Sequence, residues 1–232
     1  MKAMLCSSGG KDCLLALDAV RRDPTVEVVG ILTTISGAYD RVTMHGVRRE
    51  LMEAQAAALD LPIEWVVLPA PPAGSDGRRS GFVSNATYDE LMRDATVAAR
   101  ARGVEAMIFG DLFLEDVRSY REQRLAETGI KGMFPLWGSD TSSLIRDALA
   151  RGLRAITVCV DESRLDRSFA GRTLDTGFLE ALPEGVDPCG ERGEFHTFVT
   201  DGPGFSAPLR VEKGEVVQRD GFWFADLIPA SG

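Results

Sequence analysis

The sequence predicts an α/β fold, an open parallel sheet with helices on both faces, together with a smaller α+β domain at the carboxyl end. Three observations predict it. Short β-branched and apolar runs alternate with helical patterns in the first half of the chain, as in parallel sheets covered by helices. The first run leads into a glycine turn, Ser7-Ser8-Gly9-Gly10-Lys11-Asp12-Cys13. Beyond about Thr128 the alternation ends, so we place the domains at 1–128 and 129–232.

The predicted elements follow from the spacing of apolar residues. Apolar and β-branched runs predict strands at 3–6, 26–34, 62–68 and 104–109. Helices are predicted over 47–59 and 87–102, because their apolar residues recur every three or four positions. In the second domain we expect a helix around Leu144 and Ala148, a strand at 155–160, and strands 208–218 and 221–228 joined by a turn at Arg219-Asp220. The Pro-, Gly- and Ser-rich stretch 70–84 predicts a lid over a site or, equally well, a loop without function.

Composition restricts the class of protein. A chain of 232 residues with 44% hydrophobic and 26% charged residues is typical of a globular protein. The net charge of −9 argues against nucleic acid as a partner. No apolar run approaches the roughly 18 residues of a membrane span, and the first apolar run is too short for a signal peptide. Cys6, Cys13, Cys159 and Cys189 form no C-x-x-C pair, so we expect reduced thiols and a cytoplasmic location.

The glycine turn has the composition of a phosphate site. Two glycines between a strand and a helix let the first-turn amides point at an anion. The mononucleotide P-loop is excluded, because Leu5 and Asp12 stand where it needs Gly and Ser or Thr. The string Ser8-Gly9-Gly10-Lys11-Asp12 instead resembles the pyrophosphatase loop (PP-loop) of HUP-like enzymes that cleave ATP between its α and β phosphates. Where that family usually has serine, this chain has Cys13, a weaker hydrogen-bond donor.

Two other predicted strands end near the same place. Open parallel sheets bind ligands beyond the carboxyl ends of their strands, so Thr33-Thr34-Ile35 and Gly110-Asp111 are expected to meet the glycine turn in one crevice. The backbone of the first segment can contact adenine, and Gly110 can let a ring or ribose approach closely. An alternative interpretation makes Gly110 a helix-entry turn and Asp111 its N-cap.

A second dense group of polar residues lies at 187–199, and we call it the acidic segment. Glu191 and Glu194 stand three residues apart, next to Cys189, His196 and flanking glycines. Such carboxylates can bind ammonium, coordinate Mg²⁺ or accept a proton from an attacking amine. The alternative is a polar turn in which Glu194 is solvated and His196 is bonded within a sheet.

Several motifs, in this order along the chain, resemble the diphthine ammonia ligase family. They are the glycine turn, Gly110-Asp111-Leu112-Phe113-Leu114-Glu115-Asp116, Pro135-Leu136-Trp137-Gly138, Ser168-Phe169-Ala170-Gly171-Arg172, Cys189-Gly190-Glu191 and Glu194-Phe195-His196-Thr197-Phe198. The resemblance implies a PP-loop fold followed by a family-specific domain. It also implies that ATP activates a carboxylate as an acyl adenylate with release of pyrophosphate, after which ammonia displaces AMP to form an amide.

The resemblance also implies roles for individual residues, with ATP and Mg²⁺ as cofactors and ammonia and an acceptor carboxylate as partners. Implied nucleotide-binding residues are Ser7, Ser8, Gly9, Gly10, Lys11, Asp12, Cys13, Thr33, Thr34, Ile35, Gly110 and Asp111. Implied catalytic residues are Lys11, Asp12, Glu191, Glu194 and His196. Implied acceptor-binding residues are Arg172, Gly190, Glu191, Gly193, Glu194 and Thr197. The metal ligands stay open, with Asp12 either holding Mg²⁺ through water or capping its helix.

The acceptor also stays open. The family signature Glu-Gly-Gly-Glu-aromatic-acid-Thr is changed here at Arg192 and His196, so an acceptor other than diphthine fits equally well. Sulfur transfer to tRNA is an alternative function, because the thiol of Cys189 lies beside the carboxylates of the acidic segment. A module that senses ATP without turnover is a second alternative. The identity of the acceptor, the nitrogen donor and the oligomeric state stay open, and a homodimer is one expectation.

Overall fold

A computed structural model describes residues 1–70 and 83–230. Its first sheet contains β1 (Lys2–Cys6), β2 (Glu27–Ser36), β3 (Arg41–Val42), β4 (Ile63–Leu68), β5 (Ala106–Ile108) and β6 (Lys131–Met133). The second contains β7 (Arg154–Asp161), β8 (Phe195–Asp201), β9 (Val211–Arg219) and β10 (Phe222–Pro229). The α-helices are α1 (Lys11–Val20), α2 (Arg49–Ala58), α3 (Asn85–Ala101), α4 (Glu115–Ala126), α5 (Thr141–Ala150) and α6 (Thr176–Glu180).

The first sheet confirms the predicted α/β class. Its parallel strands run in the order β4-β2-β1-β5-β6, and β3 adds a short antiparallel pairing at the end of β2. The chain moves outward on one side of β1 to β2 and β4, and later on the other side to β5 and β6. The strand order therefore reverses between β1 and β5, which is where open sheets of this kind form a crevice at their carboxyl ends.

Alternation along β1 explains why helices cover both faces of this sheet. Ala3 and Leu5 pack in the cluster that contains Leu14 and Leu17 of α1. Met4 points to the opposite face, in a cluster with residues of α3, α4 and β5. Successive strand residues face opposite sides of a sheet, so a wholly apolar strand needs cover on both.

The second sheet is antiparallel, in the order β8-β7-β10-β9, and it adjoins the glycine turn. The Val199 amide donates to the Gly9 carbonyl at 2.9 Å. Gln55, which is fully buried, donates to the carbonyls of both Gly9 and Val199. The two sheets thus meet at the glycine turn, next to the crevice at the carboxyl ends of β1 and β5.

Several predicted boundaries change in the structure. The hairpin turn is Asp220-Gly221, both with positive φ, and not Arg219-Asp220; this is the Asp-Gly signal of a two-residue turn. The strand before it begins at Val211 rather than 208. The first sheet continues to β6, beyond the proposed division at 128. Residues 71–82 of the predicted 70–84 loop lie outside the described residues.

Helix α4 and strands β3 and β6 were not predicted. The sequence of α4 is highly charged and its single buried residue is Leu125, so the apolar periodicity that indicates a helix is missing. The helix begins at Glu115 with Leu114 as its N-cap, which excludes the interpretation of Asp111 as an N-cap.

We predict that Gly110→Ala destabilises the fold. A Cβ at Gly110 would lie 2.6 Å from the carbonyl carbon of Asp12 and 2.8 Å from the amide nitrogen of Cys13. These are backbone atoms in the first turn of α1 and cannot swing away. We expect the free energy of unfolding, measured in urea, to fall by about 1–3 kcal/mol.

The matched control is Gly177→Ala, in α6, where the new Cβ would lie 3.4 Å from a side-chain oxygen of Asp175. Alanine favours helix at that position. Equal unfolding curves for the Gly110 variant and the wild type would show that the close approach is not a constraint.

Candidate functional site

The glycine turn is fixed by its neighbours as well as shaped for an anion. Gly9 has φ +82°, and Gly10 is the N-cap of α1 without a side chain to cap it. A Cβ at Gly9 would lie 2.6 Å from Sδ of Met52 in α2. Both glycines are therefore needed to pack the turn between α2 and the second sheet.

Three backbone amides at the start of α1 are open to a ligand. The Lys11 amide donates to Thr197 Oγ1 at 3.1 Å, and the Gly9 amide donates to Ser7 Oγ at 3.0 Å. No described residue accepts a hydrogen bond from the amides of Gly10, Asp12 or Cys13. Unpaired first-turn amides carry partial positive charge, so this turn can bind an oxyanion.

Lys11 joins the turn to the acidic segment. Its side chain is 2% exposed, and Nζ donates to Asp12 Oδ2 at 2.8 Å and to the Cys189 carbonyl. Nζ also lies 5.2 Å above the ring of Phe195. Burial acts to lower the pKa of Lys11, but the Asp12 carboxylate and other acidic groups raise it above its ordinary value. Lys11 therefore stays charged while two of its three N–H donors are used within the protein.

Glu194 holds the acidic segment in shape. It is 1% exposed; Oε1 accepts from the Asp187 amide at 3.1 Å and Oε2 from the Arg192 amide at 3.0 Å. Asp187 acts similarly, accepting from the amides of Cys189 and Glu191 and from Thr141 Oγ1. Glu194 does not line the cavity described below, so the structure places it behind the site.

Glu191 reaches across to the loop after β5. Its Oε1 accepts from the Leu112 amide at 2.7 Å and, more weakly, from the Phe113 amide at 3.4 Å. Burial raises the pKa of Glu191 to about 7; the bond from Leu112 opposes this shift, and the charge of Asp12 adds to it. Glu191 therefore changes charge near neutral pH while facing the crevice.

A cavity of about 670 Å³ lies at the carboxyl ends of β1 and β5. It brings together most of the predicted site residues. Those that line it are Ser7, Ser8, Gly10, Lys11, Asp12, Cys13, Thr34, Gly110, Asp111, Gly190, Glu191, Gly193, His196 and Thr197. One elongated crevice thus contains the glycine turn, the predicted adenine side and the acidic segment.

Other predicted residues do not line this cavity. Thr33 is buried and donates to the Ser7 carbonyl at 2.8 Å, while Ile35 is fully buried within the sheet. Arg172 stacks on Phe169 and Phe178, and donates to the Gly177 carbonyl. These side chains make contacts within the fold. Gly9 also does not line the cavity, and its carbonyl accepts hydrogen bonds from Val199 and Gln55.

Asp111 and Gly110 have structural partners of their own. Asp111 pairs with Arg121 of α4, with Oδ2 and Nε 3.0 Å apart. Gly110 packs directly on the first turn of α1. The close approach that was predicted at Gly110 is therefore made by the protein backbone.

The sequence did not assign the hairpin segment 43–45 to the site. Thr43 binds the Thr34 carbonyl, which brings Met44 and His45 to the cavity. His45 Nε2 lies 3.0 Å from Ser8 Oγ, and the rings of His45 and His196 have centroids 4.5 Å apart. The available signal was that these are the chain's two histidines. The sequence analysis also did not assign three other residues that line the cavity, Tyr88, Tyr120 and Arg121. Tyr88 lies on α3, and the other two lie on α4, a helix that was not predicted.

Residues that could hold a metal ion are few. Within residues 1–70 and 83–230 there is no group of three or more His, Cys, Asp or Glu side chains placed to bind one. Asp12 Oδ1 is a buried oxygen with no hydrogen-bond partner there.

Among the same residues, no helix is both long and apolar enough to cross a membrane.

The fold and the crevice define an α/β protein of the PP-loop type. Residues 140–227 match the family model described as the diphthamide synthase C-terminal domain. A diphthine–ammonia ligase of Schizosaccharomyces pombe is 25% identical over 225 residues, which is 94% of this chain and 37% of the relative. One of Danio rerio is 25% identical over 232 residues, 94% of this chain and 89% of the relative.

A diphthine–ammonia ligase of Mus musculus is 28% identical over 181 residues, 73% of this chain and 68% of the relative. The chain is therefore a relative of the diphthine ammonia ligases, and the resemblance predicted from its motifs is confirmed. It spans only about a third of the length of the Schizosaccharomyces pombe protein.

We predict a pH-dependent contribution of Glu191 to stability. Its pKa rises from 4.5 to about 7 on folding, so the folded state holds a proton that the unfolded state has lost between these values. The free energy of unfolding of the wild type should therefore fall from pH 4.5 to 7, relative to Glu191→Gln, and level off above. Urea unfolding across this range measures the difference, with exposed Glu184→Gln as the control. Parallel curves for wild type and Glu191→Gln would contradict the assignment.

Glu194→Gln should destabilise the protein more than its conservative chemistry suggests. Both carboxylate oxygens accept from backbone amides, and the NH₂ of glutamine would face one of these donors. A buried donor without an acceptor costs about 1–3 kcal/mol, which thermal and urea unfolding would detect. Glu184→Gln should be neutral. A variant as stable as the wild type would mean that Glu194 is not the organising group of its segment.

Proposed function

We propose that the chain is an ATP-dependent amide-forming ligase of the diphthine ammonia ligase type, which activates a carboxylate as an acyl adenylate. One observation carries the proposal: the free amides at the start of α1 and the acidic segment line the same cavity at the strand-order reversal. The relatives named diphthine–ammonia ligase support the reaction type. ATP, ammonia and the acceptor are part of this proposal, as is a cytoplasmic location.

In the first step the acceptor carboxylate attacks the α phosphorus of ATP, and pyrophosphate leaves. The amides of Gly10, Asp12 and Cys13 bind the phosphate oxygens on which negative charge develops, which lowers the barrier if they fit the transition state better than the ground state. Fixed amides need no reorientation during the step. Lys11 acts mainly through its field, since Asp12 and Cys189 accept from two of its three N–H donors.

Mg²⁺ fits one part of the site. Asp12 Oδ1 is a hard oxygen donor without a protein partner, the kind of ligand that Mg²⁺ takes together with substrate phosphates. When bound, the ion would supply positive charge to the phosphate chain. We propose Asp12 as its protein ligand.

In the second step ammonia attacks the acyl carbon and AMP leaves. Ammonium must lose a proton before it can attack, so the site needs a base that is at least partly deprotonated near pH 7. Glu191 meets this requirement, because it faces the cavity and has a pKa of about 7. Glu194, held by backbone amides, positions Glu191 through the segment they share.

Sulfur transfer to tRNA receives no support from Cys189. Its thiol is fully buried and donates to the Thr141 carbonyl at 3.4 Å. Burial raises its pKa to about 12, whereas transfer chemistry needs the thiolate.

The proposal predicts that AMP and pyrophosphate form from ATP only when an acceptor and ammonium are both present. Purified protein would be incubated with ATP and Mg²⁺ alone, with ammonium, and with ammonium plus a desalted protein extract. AMP made equally without acceptor would indicate a plain pyrophosphatase. ATP binding without AMP in any arm would favour a sensing module.

Asp12→Asn should lower the rate of AMP formation by roughly tenfold or more, as is usual when an electrostatic group is removed from a reacting phosphate. Asparagine keeps an oxygen for the Lys11 ammonium but removes the negative charge of the carboxylate, so the variant should be less stable; the rates are compared at a temperature at which thermal unfolding shows both proteins to be folded. Asp18→Asn, at the other end of α1, is the matched control because Asp18 pairs with Arg22 and Arg151. Undiminished AMP formation in Asp12→Asn would remove Asp12 from the proposed mechanism.

A further inference from the structure

The two histidines of the chain meet beside the glycine turn. His45 comes from the segment after β3, and His196 comes from β8 in the other sheet. His45 Nε2 lies 3.0 Å from Ser8 Oγ and 3.3 Å from where a Cβ on Gly10 would stand. One imidazole thus touches the loop that offers free amides, and the other imidazole packs on the first.

These rings have few partners among the described residues. His196 lines the cavity, and neither of its ring nitrogens is hydrogen-bonded to a described residue. His45 uses Nε2 for Ser8, and its Nδ1 is buried without a partner. The pair therefore has hydrogen-bonding capacity that the protein itself does not use.

Lys11 of α1 is the charged side chain that acts on both histidine rings. Each ring also acts on the other, while no ion pair joins either ring to a described carboxylate. Arg48, the N-cap of α2, is near His45 in sequence, but it is paired with Asp226 and Glu50. On β7, Cys159 stands opposite His196 in the strand register, and burial keeps its thiol protonated.

The cavity also has no uncommitted cation among its described residues. Its two cationic side chains, Lys11 and Arg121, are paired with Asp12 and Asp111. A phosphate chain brings several negative charges that these pairs do not balance. A protonated imidazole at the glycine turn would add positive charge to that of the proposed Mg²⁺ ion.

We propose that His45 and His196 form a subsite for the phosphate chain of the nucleotide, and that the pair takes up a proton from solvent when pyrophosphate binds against Ser8 and Gly10. This subsite rests on the proposed function for its ligand. It adds His45, outside the glycine turn, to the residues that bind the leaving group.

The electrostatic environment favours neutral imidazoles in the free protein and proton uptake when an anion binds. Burial lowers the pKa of His196 to about 4, with Lys11 adding to the effect, and burial together with His196 lowers the pKa of His45 well below 6.5. Both rings are therefore neutral in the free protein near pH 7. A bound anion opposes the effect of Lys11 and favours the charged form.

Nuclear magnetic resonance tests the subsite directly, because two histidines give two imidazole Cε1–H signals. The signals would be titrated from pH 8 to 5 in the free protein, with saturating inorganic pyrophosphate, and with sulfate at the same concentration. We expect both rings to stay largely neutral down to pH 5 in the free protein, and at least one to become protonated with a midpoint at about pH 6.5 or higher when pyrophosphate is bound. Sulfate, a single oxyanion of fixed charge, should produce a smaller shift.

Substitution gives a second readout. His45→Gln keeps an acceptor for the Ser8 hydroxyl and should weaken pyrophosphate binding tenfold or more at pH 6.5, with a smaller loss at pH 8. Tyr39→Phe, exposed on the same hairpin, is the control and should bind as the wild type does. If His45→Gln does not fold, the titration of the wild type still decides.

Three results would overturn the subsite: no binding of pyrophosphate, binding that leaves both histidine titrations unchanged, or an equal shift with sulfate. None of these depends on AMP formation. A failure of the subsite with intact AMP formation would leave the ligase proposal in place. The reverse result, proton-linked pyrophosphate binding without AMP formation in any assay, would reject the ligase and keep the subsite.

Discussion

The geometry of the site depends on one buried ammonium group. Lys11 Nζ is bound by the Asp12 carboxylate and the Cys189 carbonyl, and the Lys11 amide by Thr197. These contacts join the first turn of α1 to the acidic segment and to strand β8 of the second sheet. A charge this deeply buried is tolerated only when it is paired and hydrogen-bonded, so the pairing holds the two halves of the crevice at a fixed distance.

The acidic segment has a division of labour that follows from where its carboxylates point. Glu194 and Asp187 accept backbone amides of their own segment, and this makes the turn rigid. Glu191 projects away and accepts a hydrogen bond from the Leu112 amide in the loop after β5. One carboxylate thus spans the crevice while two stiffen its support, and the spanning group is the one whose pKa burial raises to about 7.

The sequence was sufficient for strands β1, β2, β4 and β5 of the first sheet, the glycine turn and the acidic segment, because each has a local signal: apolar and β-branched runs, glycines before a lysine, and clustered carboxylates. It was insufficient where the signal is tertiary. Helix α4 has little apolar periodicity, and His45 reaches the site only because the segment after β3 is bound by Thr34. Arg172 matches a family motif, yet its guanidinium stacks on Phe169 and Phe178; spacing along a chain cannot distinguish these outcomes.

The charge balance of the crevice shows what an acidic protein would need in order to bind the highly charged nucleotide that we propose as its ligand. The chain has a net charge of −9, and the cavity's described cations are paired with carboxylates. Much of the attraction therefore comes from short-range dipoles, the free amides of α1, which act over a few ångströms and only on an anion that fits the turn. The proposed Mg²⁺ ion and histidine pair add positive charge when the phosphate chain is bound. Extended polyanions meet a repulsive surface, whereas a compact phosphate chain that enters the crevice loses water and gains aligned donors. Selection by fit rather than by net charge is the consequence of making the site from backbone groups.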